Sequence, residues 1–192
     1  MIRNNRLTLK LVMMGNASVG KSSIVQKWLR NIFSQSTEST LGVAFVAKNI
    51  IVEDVDIRLE IWDTAGQERY AALMPLYYRN ADIALIIFDV KDNTSLVSGI
   101  KLYETLDVPI KLLIGNKIDL VQGCYMFDDT LFSDKDVELL FTSAKTGEGI
   151  KEIFITACKK YLENKPHIKN YDSDEDDYED LFFREKKRQL CC

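Results

Sequence analysis

The chain carries one histidine and four cysteines, has no apolar run long enough to cross a bilayer as a helix, and shows no excess of positive charge. Each shortage closes off a class of function. The lone histidine, His167, lies in a polar C-terminal stretch and is given no catalytic role. Cys124, Cys158, Cys191 and Cys192 lack metal-ligand spacing and suggest no disulfide framework, which fits a reducing cytosol. A net charge of −4 leaves no nucleic-acid footprint in the total. The first six residues, Met1-Ile2-Arg3-Asn4-Asn5-Arg6, lack the apolar core of a signal peptide. Any membrane contact must therefore come from something other than a helix through the bilayer.

At 192 residues the chain is long enough for one domain of ordinary size and an appendage. Composition changes after Glu163, giving a domain over 1–164 and a tail over 165–192. Within the domain, strands are expected at 7–14, 43–52, 55–63, 83–90, 110–115 and 138–142. The run Ile83-Ala84-Leu85-Ile86-Ile87-Phe88 is nearly all apolar and reads as a central parallel strand. Asp56-Ile57-Arg58-Leu59-Glu60-Ile61 alternates, as a half-exposed strand near a sheet edge does. A helix follows the first strand. A second is expected over 94–106, capped by Asn93 or Thr94 and weakened by Gly99, and a third over 150–162, with Ile150, Ile153, Phe154, Ala157 and Tyr161 on one stripe. Residues 31–42, rich in Ser and Thr, read as a mobile loop, and 121–136 lacks a clear helical stripe. Strands alternating with helices predict an α/β fold, a mostly parallel, doubly wound six-stranded sheet with ligands at the strands' carboxyl ends.

Four loops at such ends carry chemistry. Gly15-Asn16-Ala17-Ser18-Val19-Gly20-Lys21-Ser22 fits the phosphate-cradling pattern G-x-x-x-x-G-K-[ST], between a strand and a helix as that pattern requires. The glycines let the backbone turn and approach a phosphate. Successive amide N–H groups of the loop form an anion nest, and the helix N-terminus adds a positive dipole end. Lys21 adds a point charge, and the Ser22 hydroxyl can ligate a Mg²⁺ that bridges phosphates. Asp63-Thr64-Ala65-Gly66-Gln67 follows another strand: Asp63 can hold the Mg²⁺ through water, Gly66 can offer its N–H to the terminal phosphate, and Gln67 can orient a water. In Asn116-Lys117-Ile118-Asp119, the carboxylate of Asp119 can accept two hydrogen bonds from guanine, a donor pair that adenine lacks. Asn116 can bind the other edge of the base and Lys117 can lie over the ring. In Thr142-Ser143-Ala144-Lys145, the Ala144 N–H can meet the guanine oxygen.

Together these motifs resemble the Ras superfamily of small GTPases over roughly 7–162, and within it the Rab branch, which directs vesicle traffic. Trp62-Asp63-Thr64-Ala65-Gly66-Gln67-Glu68-Arg69-Tyr70, Tyr77-Tyr78-Arg79 and the closing Cys191-Cys192 are Rab-like. Thr40-Leu41-Gly42-Val43-Ala44-Phe45 is most similar to endosomal Rabs. The resemblance implies the small GTPase (P-loop NTPase) fold. It implies a GTP/GDP site made with Ser18, Val19, Ser23, Phe33, Ser143 and Lys145 besides the residues above. It implies Mg²⁺ on Ser22, Thr40 and Asp63, and Gln67 as the catalytic residue. Phe45, Trp62 and Tyr77 match an aromatic effector triad, whose alternative is core packing. The partners implied are an exchange factor, a GTPase-activating protein, a prenyl-binding chaperone and effectors. Slow intrinsic hydrolysis is expected, because no arginine in the P-loop offers a finger and one in trans typically adds about 10³–10⁵-fold. Two departures stand out: Ala17 and Ser18 replace glycines of Ras, and 93–108 is shorter than in Rabs.

The tail runs Asn170-Tyr171-Asp172-Ser173-Asp174-Glu175-Asp176-Asp177-Tyr178-Glu179-Asp180, then Leu181-Phe182-Phe183, a basic cluster, and Cys191-Cys192. Its acidic run is expected to be disordered, with Ser173 a candidate for phosphorylation. By resemblance the two cysteines are prenylated, and two chains anchor a protein stably to a membrane where one does not. The expected location is cytoplasmic, reversibly on the cytosolic face of an intracellular membrane of endosomal type. Rival readings are an adenine-nucleotide P-loop enzyme, which Asn116, Lys117 and Asp119 oppose, and a GTP-binding recruitment module with little hydrolysis, which Gln67 opposes.

Overall fold

The computed structural model describes residues 6–34, 42–64, 66, 74–121 and 137–165. Thr40, Gln67, 122–136 and the tail with Cys191 and Cys192 lie outside the described residues, and so do the expectations attached to them.

Six strands form one sheet: β1 (Leu7–Met14), β2 (Val43–Val52), β3 (Val55–Thr64), β4 (Ile83–Asp89), β5 (Ile110–Asn116) and β6 (Leu139–Thr142). Their order is β2-β3-β1-β4-β5-β6. Among the described strands only β2 runs antiparallel, paired with β3 through a two-residue turn at Glu53-Asp54. β1 pairs in parallel with both β3 and β4, with Leu11 opposite Ile61 on one side and Ile83 on the other. The chain leaves β1 for one half of the sheet and later fills the other, so the end of β1 is the switch point where such sheets bind ligands.

The strand period sorts the core into two layers. Leu9, Leu11 and Met13 of β1, with Ile83, Leu85 and Ile87 of β4, point to the face covered by α1 (Lys21–Arg30) and α4 (Ile150–Asn164). Val12 and Met14, with Ala84, Ile86 and Phe88, point to the face covered by α3 (Asn93–Thr105). Successive side chains of a strand alternate in direction, so a strand covered on both faces must be apolar throughout. The stripe expected on the last helix is the buried face of α4, with Cys158 added to it. Trp28 of α1 stacks on Phe154 of α4 with centroids 3.9 Å apart and planes 15° from parallel.

Two local expectations are corrected. The cap of α3 is Asp92, not Asn93 or Thr94: its side chain accepts from the Thr94 N–H at 2.9 Å, one residue earlier than read. Gly99 costs helix propensity, but it lets α3 lie close on the sheet, where an added Cβ would be 3.2 Å from Leu113 Cδ1. A short helix α2 (Met74–Tyr78) precedes β4. Among the described residues no helix is long and apolar enough to cross a membrane.

Candidate functional site

The loops after β1, β3, β5 and β6 meet at the carboxyl edge of the sheet. Gly15 has φ +129°, and a Cβ there would collide with the Ile87 carbonyl of β4. Gly20 has φ +99°, and a Cβ there would collide with the Asn116 side chain. Both positions therefore require glycine. Gly20 caps α1 without any side-chain hydrogen bond. The first amides of that helix are thus free of a side-chain cap, which leaves them and the dipole to an anion.

Lys21 is buried and donates from Nζ to the carbonyls of Gly15 at 2.9 Å and Asn16 at 2.8 Å. Burial pushes its ammonium down to about 8, against the opposing pull of Asp63. Asp63 is 4% exposed, and burial raises its carboxyl, opposed by a hydrogen bond with Ser22 and by the Lys21 charge. Its Oδ1 has no hydrogen-bond partner among the described residues. A buried carboxylate oxygen left open beside a hydroxyl and an ammonium is costly unless a cation or proton completes it. The donor set fits Mg²⁺, which takes one or two carboxylates and relies on phosphate oxygens for the rest. Among the described residues there is no group of three or more His, Cys, Asp or Glu that could hold a metal ion. Gly66 lies against the P-loop backbone at Asn16 and against Lys21, where no Cβ would fit.

Asn116 is 1% exposed and ties two loops together. Its Nδ2 donates to the Val19 carbonyl at 2.8 Å, and its Oδ1 accepts from the Ala144 N–H at 3.1 Å. Both ends of the amide are thereby engaged within the protein, so Asn116 and Ala144, expected to meet the base, also hold each other. Asp119 accepts from Ser143 Oγ at 2.6 Å on Oδ1, and Lys145 Nζ lies 3.6 Å from Oδ2. Ser143 Oγ also accepts from the Thr146 N–H at 3.1 Å. Thr142 Oγ1 donates to the Glu148 carbonyl at 2.6 Å, closing this loop before α4. Lys117, with φ +71°, pairs with Asp89 at 2.7 Å. Asp89 was missed from the sequence; an acid ending a parallel strand at the ligand edge, in register with Asn116, is the signal that points to it.

The remaining expected residues divide. Phe33 stands 37% exposed just past the αL cap Asn31 of α1. Phe45 is 49% exposed and lies opposite Trp62 in the β2–β3 register, edge-on with centroids 5.3 Å apart. Trp62 also packs on the second core layer, beneath Lys10 Nζ at 5.0 Å, and Tyr77 is partly exposed. Within this trio Phe45 is the exposed member, and Trp62 and Tyr77 are half-buried. Ser18 takes φ +64°, a conformation that suits the glycine it replaces.

A family model described as the Ras family matches residues 10–163. The chain belongs to the Ras family of small GTP-binding switch proteins, which hydrolyse GTP. It is 39% identical to the Ras-related protein Rab-5A of Dictyostelium discoideum, over 83% of this chain and 84% of that one. It is 40% identical to the GTP-binding protein YPT52 of Saccharomyces cerevisiae, over 83% of this chain and 84% of that one. Within the family it thus falls in the Rab branch, whose switches regulate vesicle traffic.

Proposed function

We propose that this switch holds GTP or GDP with Mg²⁺ at the carboxyl edge of the sheet, hydrolyses GTP slowly, and recruits effectors at an endosomal membrane while the γ-phosphate is present. The observation that carries the reading is the buried Asp63 carboxylate, one oxygen unpartnered, beside Ser22 and Lys21 at the foot of the P-loop. Ser22, Thr40 and Asp63 would hold the Mg²⁺, which when bound neutralises phosphate charge. Lys21 and the amides from Gly15 to Ser23 receive the phosphates. Asp119, oriented by Ser143, selects guanine, with Asn116, Lys117, Ala144, Lys145 and Phe33 around the base. Gln67 orients the attacking water. Thr40 and Gly66 hold their loops only while the γ-phosphate remains, an order–disorder switch read by effectors at Phe45, Trp62 and Tyr77.

Two prenyl chains on Cys191 and Cys192 anchor the protein, aided by the basic cluster at about 1 kcal/mol per charge near anionic lipid. An exchange factor, an activating protein that lends an arginine, and a prenyl-binding chaperone complete the cycle.

The test is displacement of a fluorescent guanine nucleotide by GTP, GDP and ATP, with and without Mg²⁺, followed by phosphate release. Guanine-selective, Mg²⁺-dependent binding with slow release is expected. Equal displacement by ATP overturns the role of Asp119, and undiminished affinity without Mg²⁺ overturns that of Asp63. For the anchor, Cys191→Ser with Cys192→Ser is expected to leave nucleotide binding intact and release the protein to the cytosol; retention on membranes refutes it.

A further inference from the structure

On the flank of the domain, α1, β2 and α4 enclose a groove of about 500 Å³ that the nucleotide site does not use. Its floor is apolar, with Trp28, Ile50, Ile51 and Ile155 among its residues, and Ile51 is 75% exposed. Its rim carries three cations, Lys27, Lys48 and Lys151. Among the described residues no carboxylate forms an ion pair with any of the three. Lys48 lies 4.4 Å above the Trp28 ring and donates to the Trp28 carbonyl, which keeps its charge over the groove. A concave apolar floor under a basic rim that no described carboxylate pairs fits an extended, acidic segment with aromatic side chains.

The chain carries such a segment. Seven of the nine residues 172–180 are Asp or Glu, flanked by Tyr171 and followed by Leu181, Phe182 and Phe183, with Tyr178 inside. The whole chain has net charge −4, so without those seven carboxylates it would be positive. The tether is also long enough. The 13 helical residues between Lys151 and the end of α4 at Asn164 span about 20 Å. Residues 165–171, extended, reach about 23 Å. Asp172 can therefore return to Lys151, with the remaining carboxylates passing Lys27 and Lys48.

We infer that the acidic tail segment 172–183 docks in the groove between α1, β2 and α4 of its own chain, carboxylates on the lysine rim and aromatic side chains on the Trp28–Ile155 floor. Docking gives the acidic run a place away from anionic lipid. It leaves the basic cluster and Cys191-Cys192 on a free leash of about 30 Å. Because Asn31 and Gly147 also line the groove, a docked tail abuts the start of the loop carrying Phe33 and the loop carrying Ser143 and Ala144.

The test uses the full, unlipidated, GDP-loaded chain. Zero-length carbodiimide coupling joins carboxylates to lysines in contact, and mass spectrometry of the monomer locates the links. Links from 172–180 to Lys27 and Lys151 are expected, lost at 1 M salt, where the screening length falls to about 3 Å. They are also expected to vanish in Lys27→Ala with Lys151→Ala, both being rim positions outside the core. As a second measurement, replacing the carboxylates of 172–180 by amides is expected to raise acrylamide quenching of Trp28. Links spread over lysines of other faces, such as Lys10, Lys101 and Lys111, overturn the proposal. So do links confined to cross-linked dimers, which would make a second copy the occupant. Quenching unchanged by the amidated tail overturns it as well, and so does equal occupancy of the groove lysines by phosphatidylserine vesicles with the tail intact.

Discussion

Replacing Asn116 by alanine tests whether this residue is a base contact or a strut. The side chain is 1% exposed and bridges the Val19 carbonyl and the Ala144 N–H, which are 1% and 4% exposed at the residue level. Truncation leaves one acceptor and one donor buried without partners. Each orphan costs about 1–3 kcal/mol, so the total is about 2–6 kcal/mol. For a domain of this size the lower figure alone corresponds to a fall in Tm of about 4–8 °C. The assay is thermal unfolding of both proteins stripped of nucleotide with chelator, so that ligand linkage contributes nothing. A mere base contact predicts no change in the stripped protein and a change only with nucleotide. An unchanged stripped Tm therefore refutes the strut, whatever happens to affinity.

Three further expectations follow from local geometry. The β2–β3 turn places Glu53 at φ +50° and Asp54 at φ +65°, where side chains cost about 1–2 kcal/mol each, so Glu53→Asn with Asp54→Gly should stabilise. After loss of the exposed Glu53–Lys159 pair at 3.8 Å, a gain of about 1 kcal/mol and 2–4 °C in Tm is expected by calorimetry, and a lower Tm refutes it. Burial pushes the Cys158 thiol up to about 12 from an ordinary 9.0. The unfolded chain then releases this proton first, so the contribution is whole below pH 9 and falls by about 1.4 kcal/mol per unit from there to about pH 12. Urea unfolding between about pH 9.5 and 11 should show that slope and Cys158→Ala should lack it; equal slopes refute it. Asp119→Asn keeps an acceptor for Ser143 Oγ but loses the charge proposed to face guanine. Guanine affinity should drop by at least about 10³-fold in nucleotide displacement, and a drop under 10-fold refutes the specificity role.

The parts of the fold visible in the sequence were those whose cause is local. A strand covered on both faces has no polar position to spare, and the run from Ile83 to Phe88 announces β4 by itself. The stripe of α4 and the alternation of β3 likewise follow from one side of each element being buried. The P-loop is legible for a related reason: its glycines answer to backbone geometry, and Gly15 and Gly20 have no alternative at φ +129° and +99°. What was not legible depends on register between distant strands. Asn116 reaches Val19 only because β5 lies beside β4 and β4 beside β1. Lys117 meets Asp89 because Asp89 stands opposite Asn116 at the end of two parallel strands. The α3 cap slipped by a residue because Asp92, Asn93 and Thr94 are all good caps, and only the turn geometry chooses among them. Gly99 read as a weakness because helix propensity is local, whereas the approach to Leu113 is not.

The contacts also divide the site by rigidity, and the division matches what a switch requires. On the β4–β6 side, the loops at the carboxyl edge are tied to one another: Val19 to Asn116, Asn116 to Ala144, Asp119 to Ser143, Lys117 to Asp89. These loops and the P-loop are therefore tied into one unit by contacts that involve no phosphate. On the other side, β2 is the sheet's only antiparallel and outermost strand on that edge, and most of its side chains are at least partly exposed. Gly66 touches the P-loop at Asn16 and Lys21, at the point where a terminal phosphate would be sensed. β3 is held in the core through Ile57, Leu59 and Ile61, so a change there meets least packing resistance along β2, the strand that carries Phe45. On the proposed reading, the same pairing would let the loops around the base hold their shape through hydrolysis. Its hydrogen bonds join protein to protein, so loss of the γ-phosphate removes none of them.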